Sequence, residues 1–368
     1  MGKAPDVKIQ FLRPLYTEQG GWVSAYLDTS RAPENASELV SQRWLAARRQ
    51  LEAAGASEAA LNAVGRAITA PAGAPGRAVF ARDEPAALSA ALTAVPADEP
   101  VRLAPLPHVM PLLAQRAAMA AHVLVVATHE GGEITEVPDG VPAATSLQEV
   151  NGPGWPIHKT SVGGWSQDRY QRSVEHAWDE NAKELAGQVA EAAARVSASS
   201  LILAGDVRAR SLLLHHLPTP LRDEAVVVDR EVAANSPELI AAADEALRAQ
   251  AVRQAGQRLD EWRGLLPHGG GVEGLAATVA ALRDGLVSDL LMLEDAGSGT
   301  AVWIGPGVEM ALSESEARER GVERPDQDRA DAAIARGVVD TDAELWFLAS
   351  DGDGQLPRDG ICAILRGA

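Results

Sequence analysis

An α/β fold of three domains is what this sequence predicts, with α+β elements in the first domain. Three observations carry that expectation. Short apolar strands alternate with amphipathic helices along the whole length. A long Ala/Arg/Glu-rich helical stretch ends in "LPHGGG" (266–271), a Pro/Gly break that marks a boundary. The charge balance also shifts in steps. Residues 1–115 carry 11 Lys/Arg and 11 Asp/Glu, residues 116–265 carry 14 and 21, and residues 266–368 carry 8 and 19. The expected domains are an N-terminal α/β domain (1–120), a middle domain with a mixed sheet and long helices (121–265), and a C-terminal α/β/α sandwich (266–368).

The elements follow in order. "WVSAYLDT" (22–29) reads as a strand. Residues 35–53 read as a helix, because Val40, Trp44, Ala47 and Leu51 recur at helical spacing. A second helix carries Leu61, Val64 and Ile68, and "APAGAPGR" (70–77) interrupts it. Strands at 78–82 and 101–105 close the first segment. "HVLVVATHEGGEITEV" (122–137) reads as a β-hairpin, since an apolar run and a more polar run flank Gly-Gly. Residues 138–164 show little pattern and read as a long loop. Tyr170, Val174, Trp178, Leu185, Val189 and Val196 then mark a helix of about thirty residues. Strand "LILAG" (201–205), helix "DVRARSLLLHHL", strand "AVVVDR" (225–230) and a helix over 236–265 complete the middle segment. The last segment reads as a helix (272–284), strands at 289–293 and 300–305, a helix near 327–337, and strands at 344–350 and 361–366.

Composition narrows the function classes. The chain has 368 residues, 46% hydrophobic and 4% aromatic, so its core is built from Leu, Val, Ile and Ala. No run of about eighteen apolar residues is present, and "MGKAPDVKIQF" has no apolar signal region. Cys362 is the one cysteine, which rules out an internal disulfide and a cysteine-based metal site within one chain. We therefore expect a cytoplasmic protein with no membrane association. A net charge of −18 argues against generic nucleic-acid binding, because phosphate contacts need a basic surface. Of the 33 basic residues 29 are Arg, a bias that codon usage explains as well as RNA contact does.

Most motif candidates dissolve on inspection. "GGGVEG" (269–274) fits G-x-G-x-x-G, but a helix and a proline precede it where a dinucleotide site needs a strand. "DGDGQLPRDGIC" (351–362) starts like a calcium loop but has Leu356 and Cys362 at the positions that need Gly and Glu, which leaves a hairpin-type loop. His215 and His216 are adjacent and cannot share a helix face as metal ligands. No nucleophile elbow or P-loop is present. We expect no metal, no cofactor and no small-molecule substrate.

One stretch gathers several features. "HKTSVGGWSQDRYQR" joins the long loop to the long helix. The local reading is a helix start: Gly163 and Gly164 permit a turn, Ser166 caps, and Asp168 suits the helix dipole. The functional reading is a tip that approaches RNA. Trp165 can stack on a base, while His158, Lys159, Arg169 and Arg172 can meet phosphates.

This order of features resembles the archaeal and eukaryotic class I peptide chain release factors and Pelota. It is closest to their bacterial branch, which includes mycobacterial members and Balon-like ribosome hibernation factors. In release factors the middle domain opens with an apolar hairpin, runs through a long loop to Gly-Gly-Gln, then enters a long helix with Arg in its first turn. Here "HVLVVATHEGGEITEV", the loop, "GGWSQDRYQR", the helix and "LILAG" follow that order. "VEGLAATVAALRDGLVSDLLML" and "DGICAILRGA" resemble the opening and the close of the C-terminal domain, and "YLDTSR" (26–31) resembles an early stretch of the bacterial members.

The resemblance implies a ribosome-binding protein with three domains. The first would face the decoding centre and the second would reach toward the peptidyl-transferase centre. The third would meet a translational GTPase such as elongation factor Tu. It also exposes a departure. Trp165 stands where the family has the glutamine that helps place the hydrolytic water. An indole donates one hydrogen bond and has no carbonyl acceptor. Gln167 lies two residues on, inside the expected helix. The reading is therefore a factor that occupies the A site of stalled or idle ribosomes, a hibernation or stress role, without peptide release. Its RNA-contacting set is His158, Lys159, Gly163, Gly164, Trp165, Gln167, Arg169 and Arg172. Two alternatives stay open: a peptidyl-tRNA hydrolase or rescue factor, and a cytosolic adaptor without RNA contact.

Overall fold

A computed structural model gives the fold. It describes residues 9–17, 20–30, 36–70, 74–83, 86–96, 100–117, 120–139, 146–151, 167–229, 236–350 and 355–367. By contacts the chain divides into two compact units. One is Ala118–Gln250, and the other joins Asp6–Ala117 to Ala251–Ala368.

The joined unit opens with a 3₁₀ turn, Ile9–Leu15. Strand β1 (Trp22–Asp28) leads to helices α1 (Ala36–Ala53) and α2 (Glu58–Thr69), strands β2 (Gly76–Ala81), β3 (Leu88–Leu92) and β4 (Val101–Ala104), and helix α3 (Met110–Ala117). The sheet order is β3-β2-β1-β4, antiparallel throughout. Successive side chains on a strand face opposite ways. Val23, Ala25 and Leu27 pack under Val40, Trp44, Leu51, Leu61 and Val64 of α1 and α2. Trp22 and Tyr26 face the other way, into a core shared with the C-terminal segment. That is why β1 is buried along almost its whole length.

The middle unit contains β5 (His122–Thr128), β6 (Gly131–Val137), β7 (Ser146–Asn151), α4 (Gln167–Val196), β8 (Ser200–Gly205), α5 (Val207–His216), α6 (Thr219–Asp223), β9 (Ala225–Val227) and the first part of α7 (Pro237–Leu265). Its mixed sheet runs β7-β6-β5-β8-β9, with β5, β8 and β9 parallel. Both faces are covered, so β5 and β8 read as near-continuous apolar runs. Val123, Val125, Leu201 and Leu203 meet Leu185 and Val189 of α4 and Leu213 of α5. Leu124, Val126 and Ile202 meet Leu239, Ala243 and Leu247 of α7.

The C-terminal part of the joined unit holds β10 (Gly271–Glu273), α8 (Leu275–Arg283), β11 (Val287–Met292), β12 (Ala301–Ile304), β13 (Met310–Ala311), α9 (Glu314–Glu319), β14 (Asp326–Arg329), α10 (Ala330–Thr341), β15 (Glu344–Phe347) and β16 (Ile361–Leu365). One sheet runs β10-β16-β11-β15 and a small one runs β13-β12-β14. Helix α10 is buried along most of its length among Ala and Val side chains. The Trp262 indole near the end of α7 donates to Val272 O at 3.1 Å.

Polar contacts tie the two parts of this unit. Arg102 Nη2 lies 2.8 Å from Asp328 Oδ1, and Leu106 N donates to Asp328 Oδ2 at 2.8 Å. Arg13 reaches both carboxylate oxygens of Asp342 at 2.8 and 2.9 Å.

Four expectations need correction. Residues 146–151, read as loop, form β7, which pairs with β6 from Gly131↔Asn151 to Glu136↔Ser146. Its polar residues hide a strand in which Val150 is buried and Leu147 is exposed. Residues 327–329, read as the start of a helix, belong to β14 (Asp326–Arg329) against β12, so α10 begins at Ala330. The loop at 351–362 is not a hairpin, because β11 lies between β15 and β16. The strand expected over 225–230 is three residues long, Ala225–Val227.

Candidate nucleic-acid interface

The parallel strands β5 and β8 end side by side, with Ala127 opposite Gly205. His129 follows β5 and Asp206 follows β8. Gly205 takes φ +97°, and a Cβ there would lie 2.2 Å from Ala127 O, so no other residue fits without moving backbone. Asp206 N donates to Ala127 O at 3.0 Å, which fixes the turn out of β8.

That turn positions Asp206 to cap α5. Its Oδ1 accepts from Arg208 N at 2.8 Å and from Ala209 N at 2.9 Å. The Ala209 N–H is the main reason its carboxyl sits below the usual range. Desolvation opposes that effect, and His129 and the Arg208 N–H add to it. His129 Nε2 lies 3.2 Å from the same carboxylate.

Helix α4 passes over this corner. Trp178 stacks on His129 with ring centroids 3.9 Å apart and planes at 18°. The Arg208 guanidinium lies 5.1 Å from the Trp178 ring centroid and bonds Glu175 Oε1 at 2.8 Å. Asn181 Nδ2 donates to His129 O at 3.0 Å. Directly after Trp178, Asp179 Oδ1 meets His216 Nε2 at 2.8 Å, and that hydrogen bond is the main reason the Asp179 carboxyl is held low.

These groups brace α4 against the carboxyl ends of the two strands. They do not assemble a nucleophile with its base. No group of three or more His, Cys, Asp or Glu placed to hold a metal occurs among the described residues. No helix among them is long and apolar enough to cross a membrane.

His158, Lys159, Gly163, Gly164 and Trp165 lie outside the described residues. Gln167, Arg169 and Arg172 belong to the first turns of α4, which starts at Gln167, while their side chains lie outside the described set. The brace of His129, Trp178, Asp206 and Arg208 was not anticipated. Its signal was present as "THE" after one apolar strand and "GDVR" after another, a capping residue directly after a Gly.

Residues 121–264 match the family model described as bacterial archaeo-eukaryotic release factor family 2. The match covers the middle segment, which is similar to that family. The matched segment holds the whole five-stranded sheet, α4 and the brace. Two uncharacterized proteins from two strains of Mycobacterium tuberculosis are 26% identical over 364 residues, covering 96% of this chain and 96% of each of theirs. Among solved structures, an archaeal Pelota, from a model of ribosome-bound Pelota and ABCE1, aligns over 99% of this chain and 95% of its own at 12% identity and TM-score 0.40. Dom34 of S. cerevisiae, a termination-like factor interacting with Hbs1, aligns over 79% of both chains at 13% identity and TM-score 0.40. The archaeal termination factor aRF1 aligns over 97% of this chain and 96% of its own at 16% identity and TM-score 0.25.

Proposed function

We propose that this protein binds the ribosome and occupies the A site of stalled or idle ribosomes without releasing the peptide. One observation carries the reading. Within a segment similar to the release-factor family, Gly163-Gly164-Trp165 stands just before α4, where release factors have Gly-Gly-Gln. The two glycines of a ribosome-reaching tip are kept, and the amide that positions water is replaced by an indole that cannot accept through a carbonyl. His158, Lys159, Gln167, Arg169 and Arg172 are the polar groups offered to rRNA. The acidic last third of the chain, with 8 Lys/Arg against 19 Asp/Glu, is poorly suited to RNA. It is the surface we assign to a protein partner, a translational GTPase such as elongation factor Tu.

The test is co-sedimentation of the full chain with 70S ribosomes from stationary-phase cells, followed by a peptidyl-tRNA release assay on the bound fraction. Binding without release is the expected result. Release that is lost on mutating 158–172 would replace this reading with a hydrolase or rescue factor. A failure to sediment at every salt concentration would leave an adaptor without RNA contact.

A further inference from the structure

One edge of the middle unit's sheet is open. Strand β7 is outermost on that side, and among the described residues no strand pairs with its outer side. At six residues it is the longest of the described edge strands, while β9 at the opposite edge of the same sheet has three. Sheet edges are usually kept short or carry Pro or Lys, because an unpaired row of N–H and C=O groups is a template for another strand. Strand β7 carries neither residue.

The register shows which groups point outward. The Val150 carbonyl lies against Gly131 of β6, so the Val150 backbone is turned to β6. Backbone direction alternates along a strand. Ser146 and Gln148 are therefore turned the same way, and Leu147, Glu149 and Asn151 present their N–H and C=O groups away from the sheet. Side chains alternate as well. Val150 packs in the core with Leu185 of α4, and Gln148 Nε2 donates to Gln188 Oε1 on the same helix at 3.1 Å. Leu147 and Glu149 project from the other face, where Leu147 is 54% exposed.

Charge decides what this edge accepts. Glu149 stands directly opposite Glu133 of β6, on the face away from α4. Neither side chain forms a hydrogen bond or an ion pair among the described residues. Like charges directly opposite on neighbouring strands repel. The other face of β6 shows the usual remedy, since Glu136 Oε1 meets Arg195 Nη2 at 2.6 Å. An RNA strand brings phosphates and adds to the repulsion. A second copy of β7 brings a further glutamate and no cation. A polypeptide strand bearing Arg or Lys relieves it.

We propose that the outer edge of β7 docks an extended basic segment of another protein, which adds a sixth strand to the sheet. Backbone hydrogen bonds to Leu147, Glu149 and Asn151 hold it, the mode of recognition that exposed sheet edges support. On the face away from α4, an Arg or Lys of the incoming strand lies beside Glu149 and offsets its repulsion with Glu133. Two residues along, an aliphatic side chain lies on Leu147. Residues on one face of a strand are spaced by two. The recognised pattern is therefore basic-x-aliphatic in an antiparallel strand and the reverse order in a parallel one. This surface requires neither Gly163-Gly164-Trp165 nor the A-site reading.

The test is fluorescence anisotropy of the full chain with a labelled, end-blocked heptapeptide, Thr-Arg-Thr-Val-Thr-Arg-Thr, which carries the pattern in both strand directions. The control is the same peptide with both arginines replaced by glutamate. The basic peptide should bind and the acidic one should not. E133Q/E149Q should weaken binding roughly five- to tenfold with an unchanged circular dichroism spectrum. L147P removes an outward N–H that the sheet does not use, so it should fold, and it should weaken binding more than L147A, which removes only the side chain. No binding of the basic peptide, equal binding of the acidic one, no loss in E133Q/E149Q, or equal losses in L147P and L147A would overturn the proposal. Displacement of the peptide by single-stranded RNA, or dimerisation of the free chain that L147P abolishes, would overturn it by naming a different occupant. No ribosome enters this measurement, so its outcome is separate from that of the co-sedimentation.

Discussion

His129 and Trp178 lie face to face at 3.9 Å, joining the residue after β5 to the first half of α4. The stack is one of the contacts that hold α4 over the sheet's carboxyl edge, with Asn181 and the buried Leu185. Trp178→Ala should lower stability by about 1–3 kcal/mol, from lost area and ring stacking together. A urea unfolding series on the full chain measures it, and a midpoint unchanged within error would mean that Asn181 and Leu185 hold the helix alone.

Gly205→Ala tests the turn beneath that stack. A left-handed φ and a 2.2 Å approach to Ala127 O combine steric and conformational strain, so a loss of roughly 2–4 kcal/mol is expected. A thermal melt would show it as a lower transition, and a gain in stability would contradict the geometry described for this corner.

Asp328 gives a third expectation. Its side chain is fully buried and holds both Arg102 and Leu106 N. Asp328→Ala should cost about 2–4 kcal/mol, since it strands three donors, Arg102, Leu106 N and Arg329 N, although Arg102 is partly exposed and recovers some hydration. Chemical denaturation checks it, with Arg102→Ala as the partner variant and a coupling energy from the double-mutant cycle.

Acid should act through His108. Burial lowers its pKa from 6.5 to about 4. The unfolded chain therefore binds more protons between those values, and this histidine's contribution is present above about pH 6.5 and lost as pH falls toward about 4. Asp328 works in the opposite sense, because burial raises its pKa and the folded state holds its proton more firmly. The clean comparison is wild type against H108Q. The difference between their unfolding free energies should change across pH 6.5–4 and stay flat above, and a parallel pair of profiles would rule the histidine out.

The sequence showed the strongly periodic parts of this fold. The helical spacing of Leu185 and Val189 on α4, the doubly covered β5 and β8, and the helices packed on β1 all announce themselves by spacing. Strands whose partners define them did not. Asp326–Arg329 is all polar and becomes a strand only because β12 pairs with it, and Ser146–Asn151 buries one large apolar side chain and depends on β6. The Gly-Gly-Trp motif was legible as sequence. The His129–Trp178 brace was not, because residues forty-nine positions apart meet only once a parallel strand pair has brought their elements to one edge. The sharing of one core between the first and last segments was equally invisible, since Tyr26 and Leu290 each look like ordinary members of a local core.

That shared core has a consequence for how the chain is made. Leu12, Tyr26 and Phe80 leave the synthesising ribosome long before Leu290, Ile334 and Ile361, the residues they are buried with, have been translated. The middle unit has all its strands in hand by residue 227 and its covering helix soon after. Vectorial synthesis therefore favours completing the middle unit first, while the apolar face of β1 that carries Trp22 and Tyr26 waits uncovered. A truncated product ending near residue 250 would hold a finished middle unit beside an orphaned half-core, a natural substrate for chaperones and proteases.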